Sequence, residues 1–142
     1  MGEQWINPIG HNEKLSETLI QTLIETAVKQ LRFSYTPYSH FKVGAALLAA
    51  DGTIYTGCNI ENAAFTPTNC AERTAFFKAV SEGVHDFRAI CIVGGMNGVL
   101  SGYTAPCGVC RQVMAEFCSR DFQVLMLGCE GIQRTASLGE LL

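Results

Sequence analysis

Apolar residues recur at Leu15, Leu19, Ile20, Leu23, Ile24, Ala27, Val28 and Leu31, the spacing of one helical face, while Glu17, Glu25 and Lys29 fall elsewhere. With Asn12 as candidate N-cap, this predicts an amphipathic helix of about five turns that packs on a sheet. Pro37 breaks the helical pattern within Ser34–Ser39. Phe41 to Ala50 then reads as a buried strand, although Gly44, Ala45 and Ala46 are poor strand formers. Small residues there predict that something approaches this backbone closely. Asp51-Gly52 marks a tight hairpin, and Thr53 to Cys58 returns as the second strand. A polar loop from Asn59 to Asn69 precedes a helix from about Cys70 to Glu82, with Ala75, Phe76, Ala79 and Val80 on one side and Gly83 closing it.

Downstream, Arg88 to Gly94 is a short apolar run suited to a buried strand, and a loop rich in Gly, Asn and Ser leads to Pro106. Cys107 and Cys110 open another helix that continues through Val113, Met114 and Phe117. Phe122 to Gly128 is a fourth strand, Glu130-Gly131 a turn, and residues 132 to 136 a weaker fifth strand. Helix, two strands, helix, strand, helix, strand and a closing strand predict a mixed, about five-stranded sheet with helices on both faces. The expected fold class is therefore α/β, a three-layer α/β/α sandwich forming one domain over residues 1–142.

Composition narrows the class. Hydrophobic residues make up 48% of the 142 residues and charged ones 16%, so some apolar surface is expected to be buried between subunits. A net charge of −3 gives no general attraction for a polyanion, so no nucleic-acid partner is expected. No apolar run approaches the ~20 residues of a membrane span. The opening residues lack the basic-then-apolar pattern of a signal peptide, and a cytoplasmic location is expected. Seven cysteines, an odd number without a secretory pattern, point to metal binding or catalysis rather than a disulfide framework.

The chemistry concentrates in Cys70-Ala71-Glu72-Arg73 and in Pro106-Cys107-Gly108-Val109-Cys110-Arg111-Gln112. Cys107 and Cys110 can reach one ion from a helix start, and Cys70 opens the other helix. Helix N-termini carry partial positive charge and favour the thiolate form. Softness and spacing select Zn²⁺, one per chain, with three cysteine ligands and a fourth position for water. Glu72 is close enough to move protons on that water without being a ligand. Three thiolates on Zn²⁺ leave a charge of −1, for which Arg73 and Arg111 are candidate compensators; Arg73, in the same turn as Cys70, is expected to hydrogen-bond the thiolates.

A closed structural zinc knot needs a fourth ligand. Cys58, Cys91 and Cys129 lie in or at the ends of apolar strands, Cys118 sits two turns beyond Cys110, and His11, His40 and His85 lack ligand spacing. An open site is therefore expected. A thiol-redox reading of Cys107 and Cys110 leaves Cys70 beside Glu72 unexplained.

With these residues in hand, the chain closely resembles the cytidine deaminase family, in its small homotetrameric class with three cysteine ligands. The resemblance runs from about Tyr38 to Gln112, and the opening helix and Glu140-Leu141-Leu142 also fit. Four motifs carry it in order: Pro37-Tyr38-Ser39-His40-Phe41-Lys42-Val43-Gly44-Ala45-Ala46, Gly57-Cys58-Asn59-Ile60-Glu61-Asn62-Ala63, Cys70-Ala71-Glu72-Arg73-Thr74-Ala75, and the stretch from Pro106 to Gln112. It implies hydrolytic deamination of cytidine and 2′-deoxycytidine in pyrimidine salvage, by a homotetramer whose subunits share active sites. By position it implies that Asn59 and Glu61 bond the ribose, Phe41 packs on the pyrimidine, and the Ala71 backbone N–H meets the base carbonyl. The sequence departs from the family pattern at Ala105, where Ser or Thr is frequent, and at Phe65, where Tyr is common. It also ends at Leu142, where members continue to an aromatic that caps a neighbour's pocket. Blasticidin-type aminonucleoside deaminases share the cysteine motifs and are the alternative enzyme; a non-catalytic zinc module is the alternative outside enzymes.

Overall fold

The computed structural model describes residues 14–131 and 133–142. Helix α1 is Glu17–Gln30, followed by a 3₁₀ turn at Leu31–Phe33; the Ser16 hydroxyl caps it by accepting from the Leu19 N–H at 3.1 Å. The expected cap at Asn12 lies outside the described residues. The helix is one turn shorter than periodicity alone suggested, because a serine placed before Glu17 satisfies the first free N–H groups.

Strands β1 (Phe41–Ala49) and β2 (Ile54–Cys58) form the expected hairpin. Gly52 takes the left-handed backbone that its turn requires, at φ +93°. Helix α2 is Ala71–Ser81, β3 is Phe87–Met96, α3 is Gly108–Phe117, β4 is Gln123–Leu127 and β5 is Gln133–Ser137. Strand β3 is longer than the apolar run Arg88–Gly94. Its added Gly95 and Met96 pair with Lys42 and Phe41 at the start of β1, and Phe87 pairs with Ala49 at its end. Residue 132, the expected first residue of the fifth strand, lies outside the described residues. A short helix α4 (Leu138–Leu141), absent from the sequence expectation, follows β5 and opens with a Ser137–Glu140 capping box.

The sheet order is β2-β1-β3-β4-β5, antiparallel except for the parallel β3–β4 pair. Alternate residues divide cleanly between two cores. Ala46, Leu48, Ala89, Cys91, Val93, Leu125 and Leu127 face α1, whereas Ala45, Leu47, Ile90, Ile92, Val124 and Met126 face α2 and α3. A sheet covered on both faces reads as continuous apolar runs, which is how β1, β3 and β4 appeared in the sequence. The mixed five-stranded α/β/α sandwich is thus as expected.

Two glycines set how closely the helices seat. A Cβ at Gly44 would lie 2.2 Å from the Ala27 carbonyl oxygen, and one at Gly57 would lie 2.2 Å from the Ala71 carbonyl oxygen and 2.7 Å from the Ala75 nitrogen. This is the close approach that the small residues of β1 implied. Phe76 anchors the middle of α2, with its ring 5.0 Å from Phe87 and 6.0 Å from Phe122. Gly57→Ala is therefore expected to push the first turn of α2 off the sheet, costing about 1–3 kcal/mol and lowering metal retention together with the urea midpoint. An unchanged midpoint would show that the first turn shifts freely.

Candidate functional site

The two helix starts meet as the spacing required. Cys70 is the N-cap of α2 and Cys107 the N-cap of α3, and neither side chain makes a capping bond. The Cys70 and Cys107 sulfurs, 37 residues apart in sequence, lie 3.7 Å from each other, and Cys107 and Cys110 lie 3.4 Å apart. All three sulfurs fall within 4.8 Å of one another. Zn–S bonds of ~2.3 Å in tetrahedral geometry place sulfurs about 3.8 Å apart, so the cluster suits one zinc ion. No fourth Cys or His joins it among the described residues. Cys91 and Cys118 are buried, and burial pushes the Cys91 thiol up to about 12 and Cys118 upward as well. These are packing cysteines. Three protein ligands leave the fourth position of a tetrahedral zinc to water or substrate.

The electrostatics favour a cation here. A hydrogen bond from the Cys110 thiol lowers Cys70 to about 5 against the opposing effect of burial, and Arg73 adds to the lowering. Cys110 moves up in consequence, first through its bond to Cys70 and then through burial. Arg73 Nη2 donates to the Cys70 sulfur at 3.2 Å, the contact expected from their shared turn. Its Nε is buried without a hydrogen-bond partner. Arg111, the other candidate compensator, is committed elsewhere: Nε donates to the Pro106 carbonyl at 2.9 Å and Nη1 to the Leu141 carbonyl at 2.7 Å.

Glu72 lies in the first turn of α2 and is 4% exposed. Burial lifts its carboxyl to about 7, assisted by the negative Cys70, while its own backbone N–H and the Cys110 thiol oppose the rise. A carboxyl near 7 can both take and release a proton in neutral solution. Ala71 is the first residue of α2, where backbone N–H groups have no intrahelical acceptor.

The residues expected to face the sugar and base lie at the start of β1 and just after β2. Asn59 follows β2, and its amide bridges the start of β1: Oδ1 accepts from Val43 N–H at 2.9 Å and Nδ2 donates to the Phe41 carbonyl at 2.8 Å. Glu61 accepts from the Tyr38 and Ser39 N–H groups, both at 3.1 Å, and from the Ser39 hydroxyl. Those bonds, the hydroxyl's first, hold its carboxyl below the usual range. Both side chains thus brace the chain itself, a role the sequence did not signal. An amide has a second N–H and a carboxylate further lone pairs, so each keeps capacity for a ligand. Phe41 is half-buried, with ring atom Cε1 3.2 Å from where a Gly94 Cβ would sit and Thr104 Oγ1 2.7 Å from the same point.

Sequence reasoning missed Thr74. Its hydroxyl reaches the carbonyls of Cys58 at 3.0 Å and Cys70 at 3.1 Å and accepts from Asn69 Nδ2 at 3.1 Å, tying the end of β2 to the start of α2. A threonine four residues after an N-cap was the available signal.

Residues 17–126 match the family model for the cytidine and deoxycytidylate deaminase zinc-binding region. The chain is 51% identical over 123 residues to a cytidine deaminase of Sporosarcina psychrophila, covering 87% of this chain and 88% of that protein. It is 48% identical over 122 residues to a cytidine deaminase of Halalkalibacterium halodurans, covering 86% and 89%. A crystal structure of cytidine deaminase from Burkholderia pseudomallei superposes with a TM-score of 0.80 at 43% identity, over 90% of this chain and 97% of that one. The family model spans the hairpin, both cysteine motifs and the strand β3 between them, and the chain belongs to the cytidine and deoxycytidylate deaminase family.

Proposed function

We propose that this chain catalyses the zinc-dependent hydrolytic deamination of cytidine and 2′-deoxycytidine, giving uridine or 2′-deoxyuridine and ammonia. One observation carries the reading: a buried carboxyl, Glu72, beside three converging sulfurs that no fourth Cys or His joins among the described residues. Family membership and the relatives' names support the same reaction.

Cys70, Cys107 and Cys110 hold the metal. Bound zinc supplies Lewis acidity that brings its water's pKa to ~7. Glu72 accepts a proton from the attacking water, delivers it to the ring nitrogen and then assists departure of ammonia from C4. Arg73 and the two helix N-termini offset the excess negative charge of three thiolates. The Ala71 N–H binds the base carbonyl, Phe41 packs on the pyrimidine, and Asn59 and Glu61 hold the ribose hydroxyls.

The proposed setting is pyrimidine salvage in the cytoplasm. Among the described residues no helix is long and apolar enough to cross a membrane. The proposed assembly is a homotetramer with shared sites. Phe33, Tyr35, Ile60 and Phe65, the last 91% exposed, give the subunit apolar surface for such contacts.

The test combines zinc content per chain with loss of ultraviolet absorbance when reduced protein meets cytidine or 2′-deoxycytidine. One zinc per chain and stoichiometric release of ammonia are expected. A zinc-loaded protein that turns over neither nucleoside overturns the reading.

A further inference from the structure

We propose that Arg111 is a positioning residue that clamps the Cys107 loop to helix α4, so that docking of α4 governs how firmly the metal is held. The inference rests on the zinc site proposed above and concerns retention of the ion rather than the reaction.

The two N-cap cysteines are supported in parallel ways. Four residues after Cys70, Thr74 bonds the Cys70 carbonyl; four residues after Cys107, Arg111 Nε bonds the Pro106 carbonyl at 2.9 Å, while its backbone N–H donates to the Cys107 carbonyl at 2.9 Å. The Pro106 carbonyl belongs to the peptide that leads into Cys107, so fixing it fixes the direction from which that sulfur leaves the backbone. Cys107 is exposed, whereas Cys110 is 1% exposed and held by the core. The exposed ligand is the one that needs an external brace.

Arg111 Nη1 reaches the Leu141 carbonyl at 2.7 Å. That carbonyl ends α4, where helix carbonyls lack intrahelical donors and a cation is favoured. Helix α4 is itself well seated. Leu138 is buried and its N–H donates to the Phe122 carbonyl at 2.8 Å, Gly139 N–H donates to the Arg120 carbonyl at 2.9 Å, and Ser137 and Glu140 cap each other. A planar guanidinium with donors on separate edges can hold two carbonyls at once, which a lysine ammonium on one flexible stem does poorly. Arg73 already occupies the sulfur-facing role, which leaves Arg111 the mechanical one.

The experiment follows zinc release from the full-length protein into excess chromophoric chelator at fixed pH, with circular dichroism confirming the fold. Arg111→Met is expected to release zinc at least tenfold faster than wild type, and Arg111→Lys nearly as fast, because charge alone does not restore two bonds. Ser137→Ala, which loosens α4 without touching Arg111, is expected to speed release about threefold in the wild-type background and not at all beside Arg111→Met. Unchanged release in Arg111→Met overturns the clamp. So does full rescue by lysine, or an equal effect of Ser137→Ala in both backgrounds. If Arg111→Met does not fold, release from Ser137→Ala and Arg111→Lys at the wild-type rate overturns it equally. A wild-type protein that holds no zinc would instead overturn the proposed metal site.

Discussion

Replacing Glu72 with glutamine is expected to lower kcat by roughly 10²–10⁴-fold, the worth of a positioned proton shuttle, while stabilising the metal-free protein. The two effects have one cause. Glu72 is 4% exposed, and burial lifts its carboxyl from 4.5 to about 7. A carboxyl with a folded-state pKa above its unfolded value binds its proton more tightly in the folded state. Its contribution to stability is therefore present below pH 4.5 and is lost as pH rises to about 7. At about 1.4 kcal/mol per pH unit, that window amounts to about 3 kcal/mol. Glutamine keeps the shape, stays neutral and avoids the cost. Urea unfolding of chelator-treated wild type and Glu72→Gln should coincide near pH 4.5 and diverge in favour of the variant by pH 8. A gain that is the same at every pH would remove charge burial as the cause. Full turnover by the zinc-loaded variant would remove Glu72 from the proton-transfer role.

Cys110→Ser is expected to bring zinc below about a tenth of an ion per chain at submicromolar free metal, and turnover with it. Serine's hydroxyl stays protonated near neutral pH and offers no anionic donor, so three ligands become two. Structural zinc sites bind with roughly 10–16 kcal/mol. One ligand's share is then about 3–5 kcal/mol, or on the order of 10²–10⁴ in affinity. Metal analysis after dialysis measures this directly. Cys91→Ala is the matched control, because Cys91 is fully buried in β3 on the face toward α1. Loss of zinc in the control, or retention in Cys110→Ser, would mean that the ligand set is wrong.

Much of this candidate site is legible in the sequence. The spacing of Cys107 and Cys110 at a helix start, with Cys70 and Glu72 at another, specified a donor set and the carboxyl proposed as the base, because helical geometry converts sequence spacing into direction. Continuous apolar runs gave β1, β3 and β4, since strands buried on both faces leave no polar alternation to misread. The ends of elements were less legible. α1 begins after Ser16 rather than Asn12, because several polar residues can cap a helix and tertiary contacts choose among them. α4 escaped notice because four residues carry too little periodicity to register, and it forms where the Arg120 and Phe122 carbonyls receive its N–H groups.

The chain alone thus determined the layers of the fold, the three sulfurs and the placing of Glu72 beside them, all consequences of local spacing and alternation. Only the tertiary structure decided what the polar residues around them bond. It sent Arg73 to sulfur and Arg111 to two carbonyls, although both follow a cysteine directly in sequence. It also turned Asn59 and Glu61 back onto the start of β1 and the turn before it. A long polar side chain can reach many partners from one backbone position, and which partner it takes depends on where distant segments bring their unpaired groups.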